Sequence, residues 1–262
     1  MEKVIIEITE FDPISYEGPP GEGVPGVEHA ALIDPDHGCQ LNCPYCILKG
    51  DDDWNKKILV KMNFDNILEN RLKSWNKSDV VFLGAKCDPY MSIEEKYCLT
   101  RKCLVLLNEL QINTMIMTKS DNNLIFRDID IIRNFKAEMT VLLGISNISQ
   151  VKNGILNENI KTANKLCEMG IRIWLHITPI LPYIMDVEKI ISVLNPSIPL
   201  IFLDKLWISR DTIQAKHFME YIESEYPEYC EKYLNIINDN NMDYFNEVKQ
   251  KYYENKRLKI LY

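Results

Sequence analysis

Short apolar runs alternate with helical patterns along the chain from about residue 79. The runs Val80–Leu83 (VVFL) and Thr114–Thr118 (TMIMT) have the length of strands and show no clean polar alternation. Between them, Glu94–Leu110 carries apolar residues at helical spacing. Strand and helix signals that alternate in this way favour a parallel sheet with right-handed crossovers, whose strands are covered on both faces.

Six strands and four helices are predicted in this part of the chain. The strands are Ala30–Asp34, Val80–Leu83, Thr114–Thr118, Met139–Ile145, Ile171–Ile177 and Leu200–Leu203. The helices are Glu94–Leu110, Asp128–Phe135, Asn159–Met169 and Val187–Leu194. Six strands are too few for a closed eight-stranded barrel. We therefore predict an α/β fold, a partial (β/α)6 TIM-type barrel with a helical C-terminal extension.

Three segments are expected along the chain. Residues 1–29 form an irregular N-terminal arm, because residues 11–27 are rich in Pro and Gly. The barrel occupies residues 30–210, and residues 211–262 form the mainly helical extension. The last residues, Leu258–Leu261, are predicted to form a closing strand.

Composition limits the class of protein. The 262 residues include 46% hydrophobic residues, enough for one large core, and the net charge is −8. A negative field works against nonspecific binding to a phosphate backbone. Neither a signal peptide nor a membrane-spanning run is evident, so we expect a cytoplasmic protein.

Three of the eight cysteines fall within one short loop. Cys39, Cys43 and Cys46 have the spacing C-x3-C-x2-C and follow the first predicted strand of the barrel. In a reducing compartment such a group indicates a metal site rather than disulfides, and thiolates select zinc, copper(I) or iron–sulfur clusters. Zinc would need a fourth ligand, which His37 could supply. A [4Fe–4S] cube held by three cysteines keeps one iron open for a substrate or cofactor.

The cysteine loop resembles the signature of the radical S-adenosylmethionine (SAM) enzymes, in which an aromatic residue, here Tyr45, precedes the last cysteine. Further segments are similar to the spore photoproduct lyase-like branch. They are Asp34–Cys39 (DPDHGC), Lys86–Arg101 (KCDPYMSIEEKYCLTR), Thr118–Ile132 (TKSDNNLIFRDIDII) and His176–Pro182 (HITPILP).

The resemblance implies a cofactor set and a chemistry. Cys39, Cys43 and Cys46 would bind a [4Fe–4S] cluster whose open iron chelates S-adenosyl-L-methionine. One electron, from a donor such as flavodoxin or ferredoxin, would cleave SAM to a 5′-deoxyadenosyl radical that abstracts a hydrogen atom from the substrate.

Further cofactor-binding residues follow from the same resemblance. Lys119 would pair with the methionyl carboxylate of SAM, Ser146 would provide a polar contact, and Tyr45 would pack near the adenine. Where many of these enzymes carry Gly-Gly-Glu, this chain has Gly84-Ala85-Lys86-Cys87-Asp88, so Cys87 and Asp88 are further cofactor-binding candidates. An aromatic residue that often follows the third cysteine is replaced by Ile47, which puts a radical relay through that position in doubt.

Cys87 is also the candidate catalytic residue. In the spore lyase a cysteine near this point returns a hydrogen atom to the product radical, although the alignment places that cysteine at Ala85. The alternative is that Cys87 is a small polar residue of the SAM pocket. We expect Cys98, Cys103, Cys167 and Cys230 to pack in the core. His176 lies inside an apolar strand and could face the barrel lumen; a structural role is expected over a catalytic one. Arg127-Asp128 is expected to cap or orient a helix.

Three functions compete at this stage. The first is a radical SAM enzyme that acts on a peptide, a metabolite or a nucleic-acid lesion. The second is a DNA photoproduct lyase-type repair enzyme, which the acidic charge and the lack of an evident basic groove disfavour. The third is a non-catalytic zinc-binding module built on the three cysteines and His37.

Overall fold

The computed structural model of the chain describes residues 3–16, 30–75, 79–145 and 158–262. Its strands are β1 (Val4–Ile8), β2 (Ala31–Ile33), β3 (Asp36–His37), β4 (Lys57–Lys61), β5 (Val81–Leu83), β6 (Thr114–Thr118), β7 (Met139–Gly144), β8 (Ile173–Ile177), β9 (Ile201–Leu203) and β10 (Leu258–Ile260).

The helices are α1 (Asp52–Lys56), α2 (Phe64–Leu72), α3 (Glu94–Tyr97), α4 (Leu99–Leu110), α5 (Ile129–Arg133), α6 (Glu158–Glu168), α7 (Val187–Val193), α8 (Ile213–Glu225), α9 (Cys230–Asn238) and α10 (Asp243–Tyr252). Short 3-10 helices cover Ile47–Gly50, Leu124–Asp128 and Pro227–Tyr229.

The main sheet has seven strands in the order β10-β9-β8-β7-β6-β5-β2, and every neighbouring pair is parallel. The six predicted barrel strands are all present, and the strand predicted near the C-terminus is β10, which pairs with β9. Helices α8, α9 and α10 lie within residues 211–262. The predicted partial barrel is therefore confirmed, with β10 as a seventh strand.

Both faces of this sheet are buried, which explains why its strands lack polar alternation. All six residues of β7 are buried. One face packs against the helices in the main core. The other face carries an inner layer of large side chains, one from each of six neighbouring strands: Leu32, Phe82, Met115, Leu142, Trp174 and Phe202. This inner layer fills the barrel below its carboxyl edge, as in closed TIM barrels.

A second, three-stranded sheet lies beside the barrel in the order β1-β4-β3. Its strand β1 falls within the segment 1–29, which the sequence analysis predicted to be irregular, so that expectation is wrong for Val4–Ile8. Residues 17–29 of the same segment lie outside the described part of the chain. Strand β4 joins β1 in parallel and β3 in antiparallel pairing. It thereby fixes the stretch that leads into the cysteine loop.

The predicted helix Glu94–Leu110 is divided in two. Cys98 has a left-handed backbone, with φ of 52°, and separates α3 from α4. Glu94, which is buried, accepts hydrogen bonds from the backbone amides of Thr100 and Arg101 and so satisfies the N-terminus of α4. A side chain on the preceding helix therefore takes the place of an ordinary capping residue.

Arg127 and Asp128 do not have the predicted capping role. The side chain of Asp128 makes no capping hydrogen bond to α5 and is fully buried. It forms ion pairs with Arg127 and Arg101 at 2.8 Å, and Arg127 also pairs with Glu94 at 2.7 Å. The prediction was that the pair caps or orients the helix. The cap is absent because the buried carboxylate obtains stronger partners from two guanidinium groups, whereas the ion pairs fit the orienting role. The pair joins helices α3, α4 and α5.

None of the helices in the described ranges is long and apolar enough to cross a membrane.

Burial predicts different costs for two leucine truncations. Leu104 on α4 is fully buried in the main core, whereas Leu234 on α9 is 43% exposed. We expect Leu104→Ala to lower the free energy of unfolding by about 2–5 kcal/mol because it leaves a cavity. The matched control Leu234→Ala should cost less than about 1 kcal/mol. Urea unfolding under reducing conditions measures both, and equal losses would contradict the assignment of α4 to the core.

Candidate functional site

A cavity of about 530 Å³ opens at the carboxyl edge of the main sheet. Five segments contribute to its walls: the cysteine loop after β2 and β3, residues 84–88 after β5, Lys119 after β6, residues 176, 178 and 179 at the end of β8, and Asp204–Trp207 after β9. The volume lies within the usual range of ligand sites. In parallel α/β folds, ligands bind at this edge.

The cysteine loop forms one wall of the cavity. Cys39, Cys43 and Cys46 all line it, and all three are free thiols. The loop begins at Gly38, whose φ is +96° and whose position leaves no room for a side chain, since a Cβ would lie 2.2 Å from the carbonyl oxygen of Lys57. Glycine is therefore required where the chain leaves β3 beside β4.

The donor set fits an iron–sulfur cluster. Burial raises the pKa of the Cys39 thiol to about 12 and also raises the pKa of Cys46, so a strongly cationic centre is needed to hold these sulfurs as thiolates. Among the described residues, no three His, Cys, Asp or Glu side chains are placed to share one metal ion. A cube accepts its three sulfurs on three separate irons, so they need not converge on a single point.

His37 does not join the three cysteines. Its Nε2 lies 3.8 Å from Oδ2 of Asp51, and its ring stands edge-on to Trp54 at 5.2 Å. It is absent from the residues that line the cavity. The arrangement therefore gives no support to His37 as a fourth zinc ligand.

Lys119 and Tyr45 meet at the same cavity. The Lys119 ammonium donates a hydrogen bond to the carbonyl oxygen of Thr178 at 2.8 Å and lies 5.3 Å from the centre of the Tyr45 ring. Its aliphatic stem crosses the backbone of Gly144, where a Cβ would lie 2.3 Å from Lys119 Cγ. The glycine at the end of β7 thus leaves space for the lysine. The fifth predicted cofactor residue, Ser146, lies outside the described residues.

Asp88 organises the end of β6. Its carboxylate accepts hydrogen bonds from the Thr118 hydroxyl at 2.8 Å, from the Lys119 amide at 2.6 Å and from the Ser120 amide at 3.2 Å. The Tyr90 amide is a further donor, at 2.9 Å. Asp88 lines the cavity but is only 7% exposed. These bonds give its carboxylate a structural task, the positioning of Lys119, and its predicted contact with a cofactor stays a prediction.

Asn159 supports Lys119 from the other side and was not predicted. Its side-chain amide, buried on α6, donates to the carbonyl oxygens of Lys119 at 2.9 Å and Gly144 at 2.8 Å. It therefore joins the ends of β6 and β7. The sequence did offer one indication of this role: Asn159 places an amide side chain on the apolar face of the predicted helix Asn159–Met169.

Cys87 lies at the rear of the cavity. Its thiol donates to the carbonyl oxygen of Asp36 at 3.1 Å and approaches Oδ1 of Asp34 at 3.6 Å. It is 2% exposed, and burial, together with the charge of Asp34, raises its pKa well above the usual range. The thiol is thus neutral and held by the protein. Its roles as hydrogen-atom donor and cofactor contact stay predictions.

The other cysteines are placed away from the cavity. Cys103 is fully buried in the core, and Cys167 and Cys230 pack against it. Cys98 is partly buried at the break between α3 and α4. None of these four is among the residues that line the cavity.

His176 is a neutral imidazole on the cavity wall. Its Nδ1 is 2.8 Å from the Thr178 hydroxyl, and its ring stands edge-on to Phe202. Burial and, secondarily, the charge of Lys119 lower its pKa to about 3. The residue was predicted to be structural, but it lines the cavity together with Lys119.

The cavity wall is rich in lysine, although the chain carries a net charge of −8. Among the described residues, five lysines line it, against two aspartates, Asp88 and Asp204. The lysines are Lys3, Lys49, Lys86, Lys119 and Lys205. These lysines are spread over some two hundred positions of the sequence and meet only in the fold. The sequence alone therefore shows no evident basic groove.

Comparison with solved structures identifies the fold. A spore photoproduct lyase complexed with a dinucleoside spore photoproduct superposes with a TM-score of 0.60 at 13% identity, over 86% of this chain and 66% of the lyase. SuiB of Streptococcus suis bound to its precursor peptide SuiA gives a TM-score of 0.54 at 15% identity, over 87% of this chain and 48% of SuiB. Both are radical SAM enzymes. This chain has the radical SAM fold.

The resemblance to the spore photoproduct lyase-like branch, inferred from the motifs, is thus confirmed at the level of the fold. The chain spans just under two thirds of the lyase and about half of SuiB. It is also 28% identical over 218 residues to an uncharacterized protein of Methanocaldococcus jannaschii, covering 78% of this chain and 79% of that protein. No family model matches the chain.

The neutral state of His176 predicts a pH dependence of stability for this radical SAM fold. Its pKa in the folded chain is about 3, below the ordinary 6.5, so the unfolded state takes up a proton first as the pH falls. Stability is therefore lost from about pH 6.5 downward. We expect His176→Gln to reduce the loss of unfolding free energy between pH 7 and pH 5 by up to about 2 kcal/mol.

Urea unfolding at the two pH values measures this difference. The exposed His217→Gln controls for the removal of an imidazole. An unchanged pH dependence in His176→Gln would show that the imidazole is not held neutral by the cavity wall.

Proposed function

We propose that this chain is a radical SAM enzyme, which reductively cleaves SAM and abstracts a hydrogen atom from a substrate. The observation that carries the proposal is the convergence of the C-x3-C-x2-C cysteines, Tyr45 and Lys119 on one cavity at the carboxyl edge of a parallel sheet. When bound, the [4Fe–4S] cluster and SAM would supply the electron transfer and the 5′-deoxyadenosyl radical that this chemistry needs.

The protein's own task is to bind and orient these groups. Cys39, Cys43 and Cys46 would hold the cluster. The Lys119 ammonium would hold the methionyl carboxylate of SAM through a charge-assisted hydrogen bond. Its bond to Thr178 fixes the ammonium, and Asp88 and Asn159 fix the backbone of the lysine. Tyr45, beside that ammonium, would pack against the adenine.

The cavity wall also protects the reacting groups. Phe82 and Leu142 from the inner layer line the cavity floor, and Leu206 covers it at the end of β9. Apolar side chains at the base of the site exclude water from the reacting centre. The neutral His176 adds a hydrogen-bonding group that carries no charge toward the cavity.

The electron donor and the compartment belong to the same proposal. A small redox protein such as flavodoxin or ferredoxin would deliver the electron. All eight cysteines are free thiols, which suits the reducing cytoplasm. The division into an arm at residues 1–29, a barrel at 30–210 and an extension at 211–262 stays a prediction, except that the arm contains strand β1.

The substrate is a peptide, a metabolite or a nucleic-acid lesion. SuiB binds a precursor peptide and the lyase binds a dinucleoside photoproduct, so the fold accepts either class in those proteins. A DNA photoproduct lyase-type repair enzyme is the second candidate, supported by the fold shared with the lyase over 86% of this chain. The zinc-binding module is the weakest candidate, since His37 is directed to Asp51 and Trp54.

The cysteine loop predicts which substitutions abolish the cluster. Anaerobically reconstituted protein should be brown, with broad visible absorbance and the iron content of one [4Fe–4S] cluster per chain. Cys46→Ala should lose the colour and most of the iron, because two thiolates cannot hold the cube. Cys230→Ala, on α9 and away from the cavity, is the matched control and should retain both. Colourless protein that contains one zinc ion would refute the proposal.

Lys119 predicts a separate loss in SAM affinity. Lys119→Met keeps the aliphatic stem over Gly144 but removes the ammonium. We expect the Kd for SAM to rise at least about tenfold, the equivalent of one charge-assisted hydrogen bond, with the cluster absorbance unchanged. Equilibrium dialysis of the reconstituted protein measures the Kd. The exposed Lys102→Met is the control, and equal affinities in the two variants would exclude a SAM contact by Lys119.

A further inference from the structure

The charge of the cavity wall is opposite to the charge of the whole chain. Five lysines surround a space of about 530 Å³ in a protein whose net charge is −8. A cleft in which one sign of charge predominates, here five lysines against two aspartates among the described residues, concentrates its field inward and attracts ligands of the other sign. The cavity is therefore suited to an anion, while the outer surface repels polyanions.

Three of the lysines belong to the cluster side of the cavity. Lys3 and Lys49 line the cavity together with the cysteine loop, and the Lys119 ammonium lies 5.3 Å from the centre of the Tyr45 ring in that loop. Lys86, after β5, and Lys205, after β9, stand on either side of the three strands β6, β7 and β8. These two lysines are not accounted for by the proposed cofactors.

The closest contacts of these two lysines are neutral. The Lys86 ammonium donates to the Ser15 hydroxyl at 3.3 Å. The Lys205 ammonium lies 4.1 Å from the centre of the Trp207 ring and 3.6 Å from the sulfur of Met242. Neither ammonium forms a salt bridge among the described residues. Each can therefore accept an anionic partner without the loss of an ion pair.

Lys205 and Trp207 are held together by hydrogen bonds to Asp204. The Trp207 indole is 55% exposed, yet its Nε1 donates to Oδ1 of Asp204 at 2.9 Å, and the Lys205 amide donates to the same oxygen at 2.8 Å. Asp204 thus fixes both residues at the rim. An exposed indole held in one orientation offers a flat apolar surface directly beside a cation.

We propose that Lys205 and Trp207 bind the substrate through an anionic group, a carboxylate or phosphate of a small molecule, with Lys86 on the facing wall adding to the attraction. The anion would bond to the Lys205 ammonium while the rest of the molecule packs on the indole. The identification of this ligand as the substrate rests on the proposed function. The existence of the anion site does not depend on it.

A small molecule fits better than a nucleic acid. A second cavity, of about 480 Å³, adjoins the first and shares Ile47, Lys205, Leu206 and Trp207 with it. Within the described part of the chain, Lys205 is the one residue with a charged side chain that lines the second cavity. A single-stranded nucleic acid needs a row of cations along its path. The second cavity does not supply such a row.

Isothermal titration of the reconstituted protein, with and without SAM, tests the site. The probes are glutarate for a carboxylate, inorganic pyrophosphate for a phosphate, glutaramide as the neutral match of glutarate, and a thymidine decanucleotide. We expect glutarate or pyrophosphate to bind and glutaramide not to bind, and the anion that binds identifies the chemical source. Lys205→Gln should weaken that binding at least about tenfold, and Lys205→Arg should restore it. The exposed Lys256→Gln should match the parent protein.

The site is overturned if neither anion binds more tightly than glutaramide, if Lys205→Gln binds like the parent protein, or if the decanucleotide alone binds. A separate assay of SAM cleavage keeps the two proposals apart. Anion binding without a cluster or SAM cleavage would refute the enzyme and retain the anion site. SAM cleavage without anion binding would do the reverse.

Discussion

Parallel hydrogen bonding of the seven strands is the constraint on which the site depends. Because β2, β5, β6, β7, β8, β9 and β10 all run in the same direction, the chain leaves each of them at the same edge of the sheet. Residues as distant in sequence as Cys39 and Lys205 therefore line one cavity. A single reversed strand would place its following segment at the opposite edge, away from the cysteine loop.

Buried polar side chains then fix the strand ends to one another. Asp88, after β5, bonds to Thr118 and to the backbone after β6, and Asn159 on α6 bonds to the ends of β6 and β7. The backbone of Lys119 is thus held from both sides, and the Thr178 carbonyl after β8 holds its ammonium. In a buried setting each such bond costs free energy to break, so the lysine is presented in one orientation. Asp88 and Asn159 are therefore positioning residues for Lys119.

Local patterns in the sequence were sufficient for the barrel and for the cysteine loop. Strands buried on both faces appear as apolar runs, and the ligand spacing is contained within eight positions, so neither depends on distant residues. The small sheet was not predicted from the sequence. In the structure, the residues of Lys57–Lys61 alternate between partly buried and buried positions, as they do in a strand that is covered on one face. The break at Cys98 was missed because helical periodicity carries no sign of a left-handed residue.

The positive cavity could not be predicted for a different reason. Its five lysines are distributed from Lys3 to Lys205, and only the fold brings them together within an acidic chain. Likewise, the support that Asp88 and Asn159 give to Lys119 depends on which strands are neighbours. Sequence spacing therefore pointed to the proposed cofactor class, whereas the positive character of the cavity required the three-dimensional arrangement.

In the proposed enzyme, Cys39, Cys43 and Cys46 would hold the cluster and leave one iron open to SAM. Electron–nuclear double resonance on the reduced, reconstituted protein with SAM labelled by 15N at the methionyl amine measures that contact directly. The account predicts a hyperfine coupling between the label and the cluster that disappears when unlabelled SAM displaces it. A spectrum unaffected by labelled SAM, with all four irons held by side chains, would contradict it.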